Sequence, residues 1–238
     1  MKDMFSMDSP LMGFLTKVAD LMIVNILFII FCIPIVTIGA SFSAMYYVTL
    51  KLVKNEEGYV AKQFVKGFKD NFKQATIIWV VMLMVAAGLI YDGYVVVTGG
   101  SPETFKIVII VLGVVWSILF INVFPIMAKF ENTLLNTIKN SFVVGLTHLV
   151  KTVLMMVFTV APIVFVYKKI EFFPVLLLLG FSVIAFVNSV WFNQIFDAMI
   201  DNYNKEPENP EILNDSEYDS IGVADSINKR IIENDKHE

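Results

Sequence analysis

The chain of 238 residues has few of the side chains that enzymes and secreted domains use. It contains one cysteine, Cys32, which excludes an intramolecular disulfide. Its two histidines, His148 and His237, are too far apart in sequence to form a paired zinc motif. The sequence has no glycine-rich phosphate loop, and no serine or cysteine has a recognisable base partner. We therefore expect no enzyme activity, no cofactor, no metal and no nucleic-acid partner.

Charged residues are also scarce, at 17% of the chain, whereas apolar residues make up 57%. Soluble domains carry about 25% charged residues. The apolar residues form five long runs, near residues 18–38, 75–97, 107–128, 150–167 and 174–196. Most runs reach the roughly 18–20 residues that a helix needs to cross about 30 Å of hydrocarbon. Because lipid cannot pair the backbone of an open strand, the sequence predicts an all-α, polytopic transmembrane helical bundle.

The number of crossings depends on the segment after the first run. Pro34 and Gly39 break that run, and residues 40–53 can then form a short second crossing. Six crossings result, near residues 11–33, 40–53, 75–97, 107–128, 150–167 and 174–196; without the short one there are five. The positive-inside rule favours six, because only Lys106, Lys168 and Lys169 then lie outside. We predict a transmembrane domain over residues 1–200, with both termini cytoplasmic.

Residues 201–238 differ from this domain in charge. From Asp197 onward the chain carries 12 acidic and 4 basic residues, a balance of −8. Such a composition predicts an acidic cytoplasmic tail that is flexible. Alternatively, residues 220–232 form one amphipathic helix that folds on contact with a partner, with these residues on one side: Ile221, Val223, Ile227 and Ile231.

Two amphipathic segments lie on the predicted inner side of the membrane. The first has a phenylalanine face, formed by Phe64, Phe68 and Phe72. Its opposite side is a lysine face, formed by Lys62, Lys66, Lys69 and Lys73. Such a helix either anchors the protein at a bilayer with anionic headgroups or docks a partner such as transporter subunits.

The second amphipathic segment, residues 132–142, repeats this theme with Leu134, Leu135, Ile138 and Phe142. The tetrads at 69–72 and 139–142 lie 70 positions apart, and each precedes a long apolar run. This offset is consistent with tandem helical hairpins, such as those of some transporters, although shared membrane-edge composition produces the same pattern.

Polar residues within the apolar runs are costly in lipid, so they are candidate sites. They are few: Asp20, Asn25, Asn122, Asn188, Asn193 and Asp197. Asp20 follows Lys17 by three residues, which predicts a snorkelling ion pair. The asparagines predict hydrogen bonds between helices. Asn193 and Asp197 form either a cation-attracting vestibule with Asp201 or a solvated helix end.

The first third of the chain resembles the YesL-like family of bacterial multi-pass membrane proteins. The resemblance lies in residues 34–39 (PIVTIG), 44–51 (AMYYVTLK), 56–59 (EEGY) and 64–74 (FVKGFKDNFKQ). It implies a multi-pass protein of the bacterial cytoplasmic membrane whose molecular function is unknown. The family is often encoded beside carbohydrate uptake systems. It has no established catalytic or binding residues that could be assigned to this chain.

Two functions fit these observations. The first is a non-enzymatic protein that assists or regulates a membrane transporter, such as a carbohydrate importer. The second is an autonomous small transporter or channel, which the tandem hairpins and the Asn193–Asp197 cluster favour. The scarcity of polar groups at mid-membrane weighs against the second. The sequence leaves the oligomeric state open.

Overall fold

The computed structural model describes residues 10–56, 58–98 and 104–205. These residues form helices and no strand. The helices are α1 (Pro10–Phe31), α2 (Ile38–Val53), α3 (Val60–Val97), α4 (Thr104–Lys129), α5 (Leu134–Thr147), α6 (Leu149–Lys168), α7 (Phe173–Val175) and α8 (Phe181–Lys205). Two 3-10 turns, Ile35–Thr37 and Ile170–Phe172, and a π-helical stretch, Leu176–Gly180, connect some of them. The predicted all-α fold is confirmed.

Six helical segments are long and apolar enough to cross a membrane. They are Leu11–Phe31, Ile35–Val53, Val60–Val97, Phe105–Lys129, Leu149–Lys168 and Ile170–Asp201. The segment that contains α2 is the least apolar of the six, and 61% of its most apolar 18 residues are buried, against 11–28% in the other segments. The predicted polytopic bundle is therefore confirmed, and α2 is the crossing that its neighbours shield most.

α2 and α3 run antiparallel and approach each other closely at two glycines. A Cβ on Gly39 would lie 2.6 Å from the carbonyl oxygen of Ala75 and 2.5 Å from Cβ of Trp79. A Cβ on Gly67 would lie 2.8 Å from Cβ of Tyr47. Both contacts need the bare backbone of glycine. Because one lies at the start of α2 and the other in its second half, the first half of α3 lies alongside α2.

α3 is one uninterrupted helix of 38 residues, where the sequence predicts an inner segment followed by a crossing that begins at residue 75. Residues 60–97 contain no proline, and isolated glycines are tolerated within a helix. At about 1.5 Å per residue the helix is roughly 57 Å long, about twice the thickness of the hydrocarbon. Part of α3 therefore lies outside the hydrocarbon, and its four lysines identify that part as the first half.

Aromatic rings join the first four helices. Phe42 on α2 lies at ring-centroid distances of 5.0 Å from Phe28 on α1 and 6.4 Å from Trp79 on α3. It also lies 5.9 Å from Phe120 and 5.5 Å from Phe124, both on α4. Ring pairs at such distances stabilise a core beyond their buried area. This cluster fixes α2 at the centre of the bundle.

The acidic tail predicted over residues 201–238 lies outside the described residues beyond Lys205, where α8 ends. Its flexibility and the helix over 220–232 therefore stay predictions.

Candidate functional site

Polar side chains line the contact between α2 and α8, which we call the polar seam: Tyr46, Thr49, Asn188, Ser189 and Asn193. The hydroxyls of Thr49 and Ser189 lie 2.8 Å apart, and both residues are fully buried. One turn further on, Asn193 Nδ2 donates to the carbonyl oxygen of Leu50 at 2.9 Å. These bonds link two helices that are about 140 residues apart in sequence.

The seam continues at both ends. Asn188 Nδ2 donates to Thr159 Oγ1 on α6 at 3.1 Å and lies 3.4 Å from the hydroxyl of Tyr46. Towards the C-terminus of α8, Lys54 Nζ donates to Asp197 Oδ1 at 2.6 Å, and both side chains are partly exposed. Asn193 is thus buried and Asp197 is paired with a lysine. The two residues therefore do not form the cation-attracting vestibule that the sequence allows.

Three buried amide oxygens accept no hydrogen bond from the described residues. They belong to Asn122, Asn188 and Asn193. The amide nitrogen of Asn122 donates to the carbonyl of Ile118 in its own helix, rather than to a neighbouring helix as the sequence predicts. Unsatisfied buried oxygens are rare and costly, and ordered water usually satisfies them.

Asn25 on α1 inserts into the backbone of the π-helical stretch. Its Nδ2 donates to the carbonyl of Leu177 at 2.5 Å, and its Oδ1 accepts from the backbone N–H of Ser182 at 3.0 Å. These two backbone groups lie five residues apart, the spacing that a π-helix pairs directly. The amide therefore satisfies both groups where the helical ladder opens, and it ties α1 to the start of α8.

Lys17 and Asp20, both within the described part of the chain, do not form the ion pair that the sequence predicts. Both side chains are half-buried on α1. A spacing of three residues brings two side chains near each other but does not fix their contact.

The phenylalanine face is only partly an outer surface. Phe64 is fully buried, with its ring 5.5 Å from that of Phe31 on α1. Phe68 is half-buried and packs at 4.7 Å from the same ring, whereas Phe72 is 42% exposed. Phe64 therefore cannot contact lipid or a partner while α1 is in place, which corrects its assignment to a docking face.

The lysine face is an outer surface along its whole length. Lys62, Lys66, Lys69 and Lys73 are all exposed. The Nζ atom of Lys62 lies 4.9 Å above the ring of Tyr59. A shallow groove runs between the lysines, lined by Ala61, Lys62, Val65, Lys66, Lys69 and Asp70.

The described histidine, cysteine and acidic side chains do not cluster outside the contacts above. Within residues 10–56, 58–98 and 104–205, no three His, Cys, Asp or Glu side chains are placed to hold a metal ion. Cys32 is half-buried and forms no disulfide.

Sequence reasoning missed three of the five residues of the polar seam. Tyr46, Thr49 and Ser189 were not singled out, because hydroxyl residues are common within membrane helices and carry no charge penalty. The signal that could have found them is spacing: Ser189, Asn193 and Asp197 follow each other at four residues along one face of α8.

The comparisons with known proteins identify one similarity. Residues 21–93 match the family described as protein of unknown function, DUF624. The match covers less than half of the chain and includes α2 and the lysine face, but not α8. No curated protein and no solved structure matches the chain.

Proposed function

We propose that this protein is a non-enzymatic accessory or regulatory subunit of a membrane transporter, such as a carbohydrate importer. The lysine face of α3 is the surface through which it contacts its partner. The observation that carries the proposal is the exposure of four lysines along three turns of a helix whose opposite side is fixed by Phe64 and Gly67. A rigid helix that presents four lysines and only one carboxylate, that of Asp70, fits recognition of an acidic protein surface.

The resemblance to the YesL-like family supports the cellular setting of this proposal. The match to DUF624 covers the same region, although that family's function is unknown. We place the protein in a bacterial cytoplasmic membrane with both termini in the cytoplasm. This orientation puts the lysine face on the cytoplasmic side, where membrane proteins carry an excess of basic residues. The lysine face then meets anionic headgroups at its edge and cytoplasmic partners beyond them.

The test is purification of the tagged full-length protein from its native membrane in mild detergent, followed by mass spectrometry of co-purifying proteins. A variant with Lys62→Gln, Lys66→Gln and Lys69→Gln removes charge without touching the buried side of α3. We expect transporter subunits with the wild-type protein and at least about tenfold less with the variant, which corresponds to a loss of roughly 1.4 kcal/mol.

The matched control neutralises two exposed lysines elsewhere, Lys168→Gln and Lys169→Gln. It should recover transporter subunits as the wild type does. Equal recovery by the lysine-face variant would remove that surface from the proposal. Recovery of the protein without transporter subunits would overturn the accessory role itself.

A second function, autonomous transport, is favoured by the polar seam. Buried amide oxygens of Asn188 and Asn193 that lack donors are groups that a permeating cation or sugar hydroxyl could use. The test is flux of sugars and monovalent cations into liposomes that contain the purified protein, with Asn188→Leu as the matched variant. Flux no higher than that of empty liposomes would exclude this function.

A further inference from the structure

We infer that the acidic tail of this chain, residues 206–238, docks on the lysine face of α3 and covers it. This inference goes beyond the proposed function and does not depend on it, because it concerns two parts of one chain.

The tail and the lysine face have opposite charges. The tail carries ten acidic and three basic residues, whereas the lysine face carries four lysines and one acidic neighbour, Asp70. Among the described residues no carboxylate lies within ion-pairing distance of Lys66, Lys69 or Lys73. Four adjacent lysines repel one another, and a segment of opposite charge relieves that repulsion.

The tail begins near the lysine face. The contact between Lys54 and Asp197 joins the end of α2 to α8, two turns before α8 ends at Lys205. α3 begins six residues after Lys54. The tail therefore starts at the same end of the bundle as the lysine face. Its 33 residues reach up to about 100 Å when extended, whereas the lysine face is about 20 Å long.

The groove on the lysine face also offers an apolar surface. Ala61 and Val65 lie between the lysines, so the surface combines an apolar floor with a cationic rim. The tail carries acidic residues on both sides of a stretch that contains Ile221, Ile227 and Ile231. Its carboxylates pair with the lysines while its isoleucines cover the floor. Because the two parts belong to one chain, weak contacts suffice, since the effective concentration is in the millimolar range.

The tail then acts as an internal cover for the surface that an acidic partner would use. A partner binds only by displacing it, so the affinity of the lysine face for a partner is lowered by the fraction of molecules in the covered state.

The test measures disulfide formation in the full-length protein, in nanodiscs of neutral phosphatidylcholine and in a Cys32→Ala background. One cysteine replaces Val65 in the groove and the other replaces Ser220 in the tail, so that every charge is retained. The matched control pairs Ser220→Cys with Thr133→Cys, an exposed position in the loop before α5. We expect the groove pair to form at least about tenfold faster than the control pair, and the excess to vanish in 1 M salt, where the Debye length is about 3 Å.

Further variants keep the inference falsifiable. Ala61→Cys replaces Val65→Cys if the latter disturbs folding. Neutralising Glu211, Asp215, Glu217 and Asp219 to the corresponding amides should reduce the groove rate to the control rate. Equal rates for the two pairs, or an excess that survives neutralisation, would overturn the inference. So would loss of the excess in nanodiscs with anionic lipid, because headgroups rather than the tail would then hold the lysines.

Discussion

Residues 60–74 of α3 bury Phe64 and Gly67 and expose four lysines. The buried side of α5 consists mostly of small and polar residues: Thr137, Asn140, Ser141, Val144 and Gly145. Other apolar side chains of α5 face outwards, with Leu135 exposed at 79% and Phe142 at 37%, whereas Leu134 and Ile138 are half-buried against the core. The two segments share a sequence theme, yet one has an apolar inner side and the other a mostly polar one.

The difference indicates which solvent each segment meets. A helix in water or among headgroups buries its apolar face against the protein and exposes its charges. A helix in lipid exposes apolar side chains and can place small and polar residues against its neighbours. The first half of α3 therefore fits the aqueous or headgroup region, whereas α5, which exposes Leu135 and Phe142 beside Lys139, has the outer side expected of a helix at the edge of the hydrocarbon.

Truncation of a ring on the buried side of α3 should have the greatest effect on stability. Phe64→Ala should destabilise the protein by about 3–5 kcal/mol, because it empties a fully buried site against Phe31. Phe142→Ala, which removes a partly exposed ring of α5, should cost less than about 1 kcal/mol. Unfolding in mild detergent measures both, and equal losses would contradict the assigned inner sides.

The glycine contacts test the close packing of both helices. Gly67→Ala should cost about 1–3 kcal/mol, since its new methyl group meets Cβ and Cγ of Tyr47 close to the backbone. On α5, Gly145→Ala should cost about as much, because its methyl group meets the Cγ2 methyl of Ile118, a β-branched side chain with little freedom in a helix. Gly88→Ala, with open space around it, should be neutral or stabilising. The same unfolding assay orders the three variants, and a Gly67→Ala protein as stable as Gly88→Ala would contradict the close α2–α3 contact.

Accessibility to water tests the two outer sides directly. Lys66→Cys and Leu135→Cys place thiols at exposed positions of both helices, in a Cys32→Ala background. A membrane-impermeant maleimide should label residue 66 at least about tenfold faster in nanodiscs, where both faces of the bilayer are accessible, because a thiol ionises in water and not in hydrocarbon. Labelling of residue 135 at the same rate would show that the outer side of α5 is not in lipid.

The ion pair between α2 and α8 should contribute least to stability. Asp197→Asn should change the free energy of unfolding by less than about 1 kcal/mol, because both partners of the pair are partly exposed. A loss above about 2 kcal/mol would mean that charge, rather than packing, holds this end of α2. The unfolding assay again gives the answer, with Asp201→Asn as the control at an exposed neighbour.

Much of the fold could be predicted from the sequence, because the length of an apolar run and the hydrocarbon thickness together determine where crossings occur. The exposure of the lysines also followed from their spacing. The direction of α5 did not, because an amphipathic pattern separates two faces without stating whether lipid or protein receives the apolar one. The polar seam was partly missed for another reason: Thr49 and Ser189 gain their role only when packing brings them together.

The closeness of α2 and α8 has a consequence for biosynthesis. α2 leaves the ribosome long before α8, yet the buried partners of Thr49 and of the Leu50 carbonyl lie on α8. Until α8 is made, the least apolar crossing of the protein lacks the neighbour that pairs its hydroxyls, and an unpaired polar group in lipid is costly. The last helix thus completes the second, and a chain that stops before residue 181 presents quality-control proteases with an unfinished bundle.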